Sequence, residues 1–117
     1  MKNRGVIGVF VDENGIKTRC SVAVRAEQSR KELEEQVLHE HPNTHITLVR
    51  MYTFSCKGNV IDVEMGLRKI LCQKFGPYTP PIFGLESYSV GSLEEFMEFI
   101  ETMVCLIDNI TVVQETE

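Results

Sequence analysis

A chain of 117 residues with 43% apolar and 25% charged side chains is long enough for one domain with a real hydrophobic core. Its net charge of −5 disfavours nonspecific attachment to nucleic acid or to an anionic membrane, and no apolar run approaches the ~18 residues of a transmembrane helix. The charge is uneven: residues 1–74 hold all twelve Lys and Arg against nine acids, a balance of +3, while residues 75–117 hold eight acids and no base, a balance of −8. A split of this kind points to attraction within one molecule, between copies of it, or toward a partner.

The N-terminal residues begin basic, but their apolar stretch is broken by Gly8 and ended by Asp12. That is too short for the apolar region of a signal peptide, so the segment reads as mature structure and a cytoplasmic setting is expected. Asn14-Gly15 is the preferred pair for a two-residue hairpin turn, because both central positions need positive φ. That turn places Asp12 opposite Lys17, Phe10 opposite Arg19, Ile7 opposite Val22 and Arg4 opposite Arg25. Side chains alternate between faces. One face then carries Ile7, Val9, Val11, Cys20, Val22 and Val24 and reads as the core side. The other carries Phe10, Lys17, Arg19 and Arg25 and reads as exposed, basic and centred on one aromatic residue.

Ser29 and Glu32 form a capping-box pattern, so a helix is expected from there to His39 or Glu40, stopping before Pro42. Its apolar stripe is only Leu33, Val37 and Leu38, which predicts a surface helix against one side of a sheet. Residues 45–54 are rich in β-branched and aromatic side chains and read as a central strand. Residues 60–65 fit two patterns. Ile61, Val63 and Met65 alternate as in a strand, while Val60, Val63, Leu67, Ile70 and Leu71 follow a helical stripe capped by Asn59. Residues 67–75 are helical in either case, with Gly76 and Pro77 as the stop. Residues 76–91 hold three prolines and two further glycines beside Gly76, and read as a rigid connector with a short edge strand over 85–90.

Ser92 and Glu95 repeat the capping pattern and open a last helix. Leu93, Phe96, Ile100, Met103, Ile107 and Ile110 follow a 3-4 spacing, and Met97, Val104, Phe99 and Leu106 widen the apolar arc to four of seven positions. A helix lying on a small sheet ordinarily needs about three of seven. Two readings follow: the domain covers the whole arc, or a second chain covers part of it. The set expected for self-association is Phe96, Phe99, Met103, Leu106 and Ile110. Residues 112–117 read as a frayed acidic tail.

Chemistry-bearing motifs are sparse. His39, His41 and His45 cluster, but their spacing around Pro42 is poor for a metal, and no CxxC or HExxH accompanies them. Cys20, Cys56, Cys72 and Cys105 are scattered and read as reduced thiols, with Cys56 the one expected to be exposed. No phosphate-binding glycine loop is present in the sequence. No catalytic residue, metal or cofactor is expected.

The fold predicted is α+β: one domain in two layers, with an antiparallel-rich sheet of three to five strands that begins with a hairpin. Helices pack mainly on one face, and a long amphipathic helix ends the chain. The function expected is a small binding or regulatory protein acting through protein contacts and self-association. A second reading is a binder of nucleic acid or a small phosphorylated ligand through Arg4, Phe10, Lys17, Arg19 and Arg25. A small Cys- or His-dependent enzyme is a third.

Overall fold

The computed structural model describes residues 3–12, 19–42, 45–76, 86–107 and 110–116. The chain runs β1 (Asn3–Asp12), β2 (Arg19–Ala26), α1 (Arg30–Glu40), β3 (Ile46–Cys56), α2 (Val60–Phe75), β4 (Glu86–Ser89), α3 (Leu93–Met103), a 3-10 turn (Val104–Leu106) and β5 (Ile110–Thr116). The strands form one sheet in the order β4-β2-β1-β3-β5, with every neighbouring pair antiparallel. The fold is therefore α+β, opened by an N-terminal hairpin, with β1 at its centre.

Three local signals start the helices. Ser29 Oγ accepts the Glu32 amide and the Glu32 carboxylate accepts the Ser29 amide, both at 3.1 Å. Hydrogen bonding from the Ser29 backbone is also what lowers the Glu32 pKa. Asn59 caps α2 in the same reciprocal way with Asp62, which settles residues 60–65 as helix. Ser92 Oγ accepts the Glu95 amide at 3.1 Å and starts α3. Gly76, at φ +88°, ends α2 in a conformation that L side chains rarely adopt.

The hairpin pairs two residues out of the expected register. Phe10 lies opposite Ser21, Asp12 opposite Arg19, and Val6 opposite Arg25. A shift of two keeps every side chain on its expected face, because the strand period is two. Asn14-Gly15 and Lys17 lie outside the described residues. The expectation that fails is the exposed basic face. Val6, Phe10 and Ala23 are buried there with Leu48 and Met51 of β3, under Leu33 and Val37 of α1. Phe10 is only 2% exposed.

A bulge explains why β3 looks apolar on both sides. Val9 pairs with Arg50 and Phe10 with Leu48, so Val49 is the extra residue. The bulge brings Leu48 and Met51 to the same face although they are three apart in sequence. It also turns Arg50, Tyr52 and Phe54 to the opposite face, beside Val9, Ile7 and Gly5. That opposite face is the main core. Ile7, Val9, Val22, Tyr52 and Phe54 meet Val63, Leu67 and Leu71 of α2 and Phe96 and Ile100 of α3. Two of the three helices therefore share one face of the sheet, and α1 covers part of the other.

The last helix is shorter than its spacing predicts. It stops at Met103, passes through one 3-10 turn, and the chain is extended by Ile107 (ψ 127°). Residues expected to be a frayed tail form β5 instead, paired along β3. A β-branched run, Ile110-Thr111-Val112-Val113, suits a strand better than a helix. A second bulge, between the Ser55–Val112 and Cys56–Ile110 pairs, lets both Ile110 and Val113 pack on the main core.

Candidate functional site: the groove between the second and third helices

The residues expected to bind an anion do not form a free platform. Arg4 Nε lies 2.8 Å from a Glu27 carboxylate oxygen, and Arg25 lies 2.8 Å from Glu40 of α1. Arg19 faces Asp12 across the β1–β2 pair. With Phe10 covered by α1, no ring among the described residues stands open at the centre of this face for a base to stack upon.

Nor do the histidines and cysteines converge. Among the described residues, no three His, Cys, Asp or Glu side chains come together in a way that would hold a metal. All four cysteines are free thiols; Cys20 and Cys56 are buried, and Cys105 is the exposed one. The expectation for Cys56 is reversed because it ends β3 inside the core, with its thiol directed at the Gly58 carbonyl 3.4 Å away. Burial pushes the Cys20 thiol up to about 11. Among the described residues, no helix is long and apolar enough to cross a membrane.

A polar cluster joins β3, α3 and β5. Arg50 reaches Glu101 at 3.0 Å and Glu115 at 3.2 Å, and the Tyr52 hydroxyl donates to Glu101 at 2.8 Å. Burial first, and then the bond to the Glu101 carboxylate, raise the Tyr52 pKa above the ordinary tyrosine range. A cavity of about 570 Å³ beside the cluster is lined by Tyr52, Glu101, Val104, Cys105, Ile110, Val113 and Glu115. The two carboxylates share one guanidinium, so the cluster acts as a clamp that ties the edge strand and the last helix to the central sheet.

A larger surface groove lies between α2 and α3. The two helices run antiparallel, because Phe75 at the end of α2 meets Phe96 and Phe99 near the start of α3, at ring distances of 5.3 and 5.4 Å. At the other end, Gly66 faces Ile107. A Cβ at Gly66 would come within 2.9 Å of Ile107 Cγ2, so the missing side chain is what lets the chain pass there. Between these two contacts runs a groove of about 690 Å³, with Ile70, Phe99, Met103, Leu106 and Ile107 in its walls and Lys69 and Lys74 along the α2 side. Near Lys74 the groove continues into a shallower recess bordered by Glu95, Glu98 and Thr102 of α3. The Lys74 ammonium stands 5.9 Å from the centre of the Phe99 ring.

The set read from the sequence as a self-association surface divides here. Phe99, Met103 and Leu106 line the groove. Phe96 is fully buried, its ring tilted against those of Phe75 and Tyr88, and Ile110 is the first residue of β5, packed on the core. Phe96 is closed to another chain, while Ile110 is half-buried and lines the cavity beside Tyr52 and Glu101, away from the groove. Two residues that sequence reasoning missed are Ile61 and Met65, exposed by 57% and 59%. They precede Asp62 and Gly66 of the groove wall by one residue each, so they stand on the adjoining outer row of α2. The signal was present: in the helical reading of 60–65, both fall off the buried stripe of Val63 and Leu67.

No protein family, no curated protein and no solved structure matches this chain.

Proposed function

We propose that this chain is a small, non-catalytic binding or regulatory protein of the cytoplasm. It acts through protein–protein contacts, including contact with a second copy of itself, and the α2–α3 face is the contact surface. The observation that carries this reading is where the exposed apolar mass lies. Four large hydrophobic side chains stand exposed among the described residues: Leu38, Ile61, Met65 and Leu106. Leu106 lines the groove, and Ile61 and Met65 stand on the row of α2 next to its wall. Single exposed hydrophobics need no explanation, whereas a cluster beside an apolar groove is the usual mark of an interaction surface.

Light scattering over a range of concentrations tests it. The wild type is expected to reach twice the 13.3 kDa of the single chain in the micromolar range. Leu106→Glu is expected to return it to the single-chain mass. Leu106 is 65% exposed, so the change leaves the core intact and the melting curve close to wild type. A wild type that stays at the single-chain mass at several hundred micromolar would reject self-association.

A further inference from the structure

Two copies facing each other through the α2–α3 surface have two simple ways to obey two-fold symmetry. With the axis across the helices, α2 lies on the partner's α2 and α3 on the partner's α3. With the axis along the groove, each α2 lies on the partner's α3. Charge distinguishes the two. The α2 wall carries Lys69 and Lys74 toward its C-terminal end and Asp62 at its start, while the facing rim of α3 carries Glu95 and Glu98, both exposed. An axis across the helices exchanges the two ends of the groove, so the first arrangement sets Lys74 toward the partner's Asp62 end and lays Glu95 and Glu98 over the partner's Leu106 turn, carboxylates on apolar side chains. The second sets Lys74 on the partner's acidic rim.

Heights along the groove agree with the second arrangement. Lys74, Glu95 and Glu98 border the same recess, so they stand level with one another. A rotation about the groove axis preserves that level and brings Lys74 of one copy to the Glu98 edge of the other. At the far end the same rotation brings the Ile61–Met65 row over the turn that carries Leu106. Polar contacts then meet at one end and apolar side chains at the other. The paired helices present a face about 24 Å long and about 20 Å wide, from the ordinary rise and diameter of a helix of this length. A patch of that order is smaller than a standard permanent interface and suits a weak, reversible pairing.

We propose that two copies of this chain pair about a two-fold axis parallel to the groove, α2 against the partner's α3, with Lys74 facing the partner's Glu98 and Met65 facing the partner's Leu106. The inference rests on the self-association reading above and adds its geometry. The arrangement is a four-helix layer between two sheets, and each charge contact occurs twice.

Charge reversal with mixing tests it. Lys74→Glu alone sets two pairs of carboxylates against each other in every dimer, and Glu98→Lys alone sets two pairs of ammonium groups. Each variant by itself is expected to weaken the dimer at least tenfold. In an equimolar mixture, the carboxylate introduced by Lys74→Glu on one chain meets the ammonium introduced by Glu98→Lys on the other. The remaining contact of that heterodimer is the native Lys74 with Glu98. The mixture is therefore expected to recover a heterodimer within a few-fold of wild-type affinity, read by sedimentation velocity or native mass spectrometry. An effect confined to one chain cannot be repaired by mixing. Should either reversal unfold the chain, Lys74→Gln and Glu98→Gln are read for the same loss. Single variants that dimerise like wild type, or a mixture that stays monomeric, overturn the arrangement while leaving a dimeric wild type to support self-association. A monomeric wild type removes both.

Discussion

Gly8 shows how much one side chain decides in this fold. A Cβ there would stand 2.6 Å from Leu33 Cδ2, 3.1 Å from Phe10 Cε1 and 3.3 Å from Leu48 Cδ1, all within the core that α1 closes. Gly8→Ala is expected to destabilise the protein by about 1–2 kcal/mol, the overpacking penalty less the backbone entropy that alanine saves. A shift of the urea midpoint at unchanged slope measures it, and an unchanged midpoint would mean that α1 can lift without cost. On the opposite face, Cys20 is fully buried with its pKa raised from 9.0 to about 11. The folded state holds its proton where the unfolded chain gives it up. The stability this contributes is complete below pH 9 and is lost as pH rises toward 11. Cys20→Ala should flatten that alkaline decline. Thiol labelling of the native protein should reach the exposed Cys105 well before Cys20. The strand alternation placed Cys20 on the buried face, but nothing in the sequence pointed to the crowding at Gly8, because small residues such as Gly8 and Ala23 read as neutral until a helix is laid over them.

At the scale of elements, β5 is the part the sequence hid best. The 3-4 spacing of Leu93, Phe96, Ile100, Met103, Ile107 and Ile110 continues past the real end of α3. Pairing with β3 overrides it, since an edge left on β3 would expose Tyr52 and Phe54. A chain ending after residue 109 is expected to lose about 2–4 kcal/mol, from two half-buried apolar side chains, Ile110 and Val113. It also loses the Arg50–Glu115 contact, which is exposed and contributes at most ~1 kcal/mol. If the shortened chain melts with wild type, β5 contributes nothing to stability and residues 110–116 are a tail after all. Helix starts were legible because Ser29 with Glu32 and Ser92 with Glu95 are local signals, and they sit where the pattern placed them. The choice between strand and helix at 60–65 turned on Asn59 with Asp62, a capping pair as local as the others. Bulges at Val49 and Thr111 were not legible, because each depends on which face a neighbouring strand must fill. The same holds for the groove. Phe99, Met103 and Leu106 were readable as surplus apolar surface on one helix, but the opposite wall, Gly66 and Ile70, comes from another element.

Across the whole molecule, the charge split between residues 1–74 and 75–117 meets itself in two places. Arg50 of the basic part binds Glu101 and Glu115 of the acidic part within one chain. Lys74 stands across the recess from Glu95 and Glu98, where the proposed dimer would use them between chains. Apolar and charged contributions to such a contact respond differently to salt. The Debye length falls from ~10 Å at 0.1 M to ~3 Å at 1 M, so salt screens the lysine–glutamate end and leaves the end at Met65 and Leu106 untouched. The dimer is therefore expected to weaken by less than about tenfold over that range. Binding of a nucleic acid through several phosphate contacts would fall by about a thousandfold or more over a smaller change. Pairing also couples stability to concentration: each tenfold rise in protein adds ~1.4 kcal/mol per dimer, which for a chain of this size raises the melting temperature by about 2–4 °C. Melting curves at three concentrations, each in low and high salt, separate the outcomes. A midpoint that climbs with concentration in both salts places the binding energy in the apolar end of the groove. A climb seen only at low salt assigns it to the charges, and Leu106→Glu should then leave the dimer intact, against the expectation for that variant. A midpoint independent of concentration at every salt shows a monomer whose charge split serves Arg50 and its two carboxylates alone.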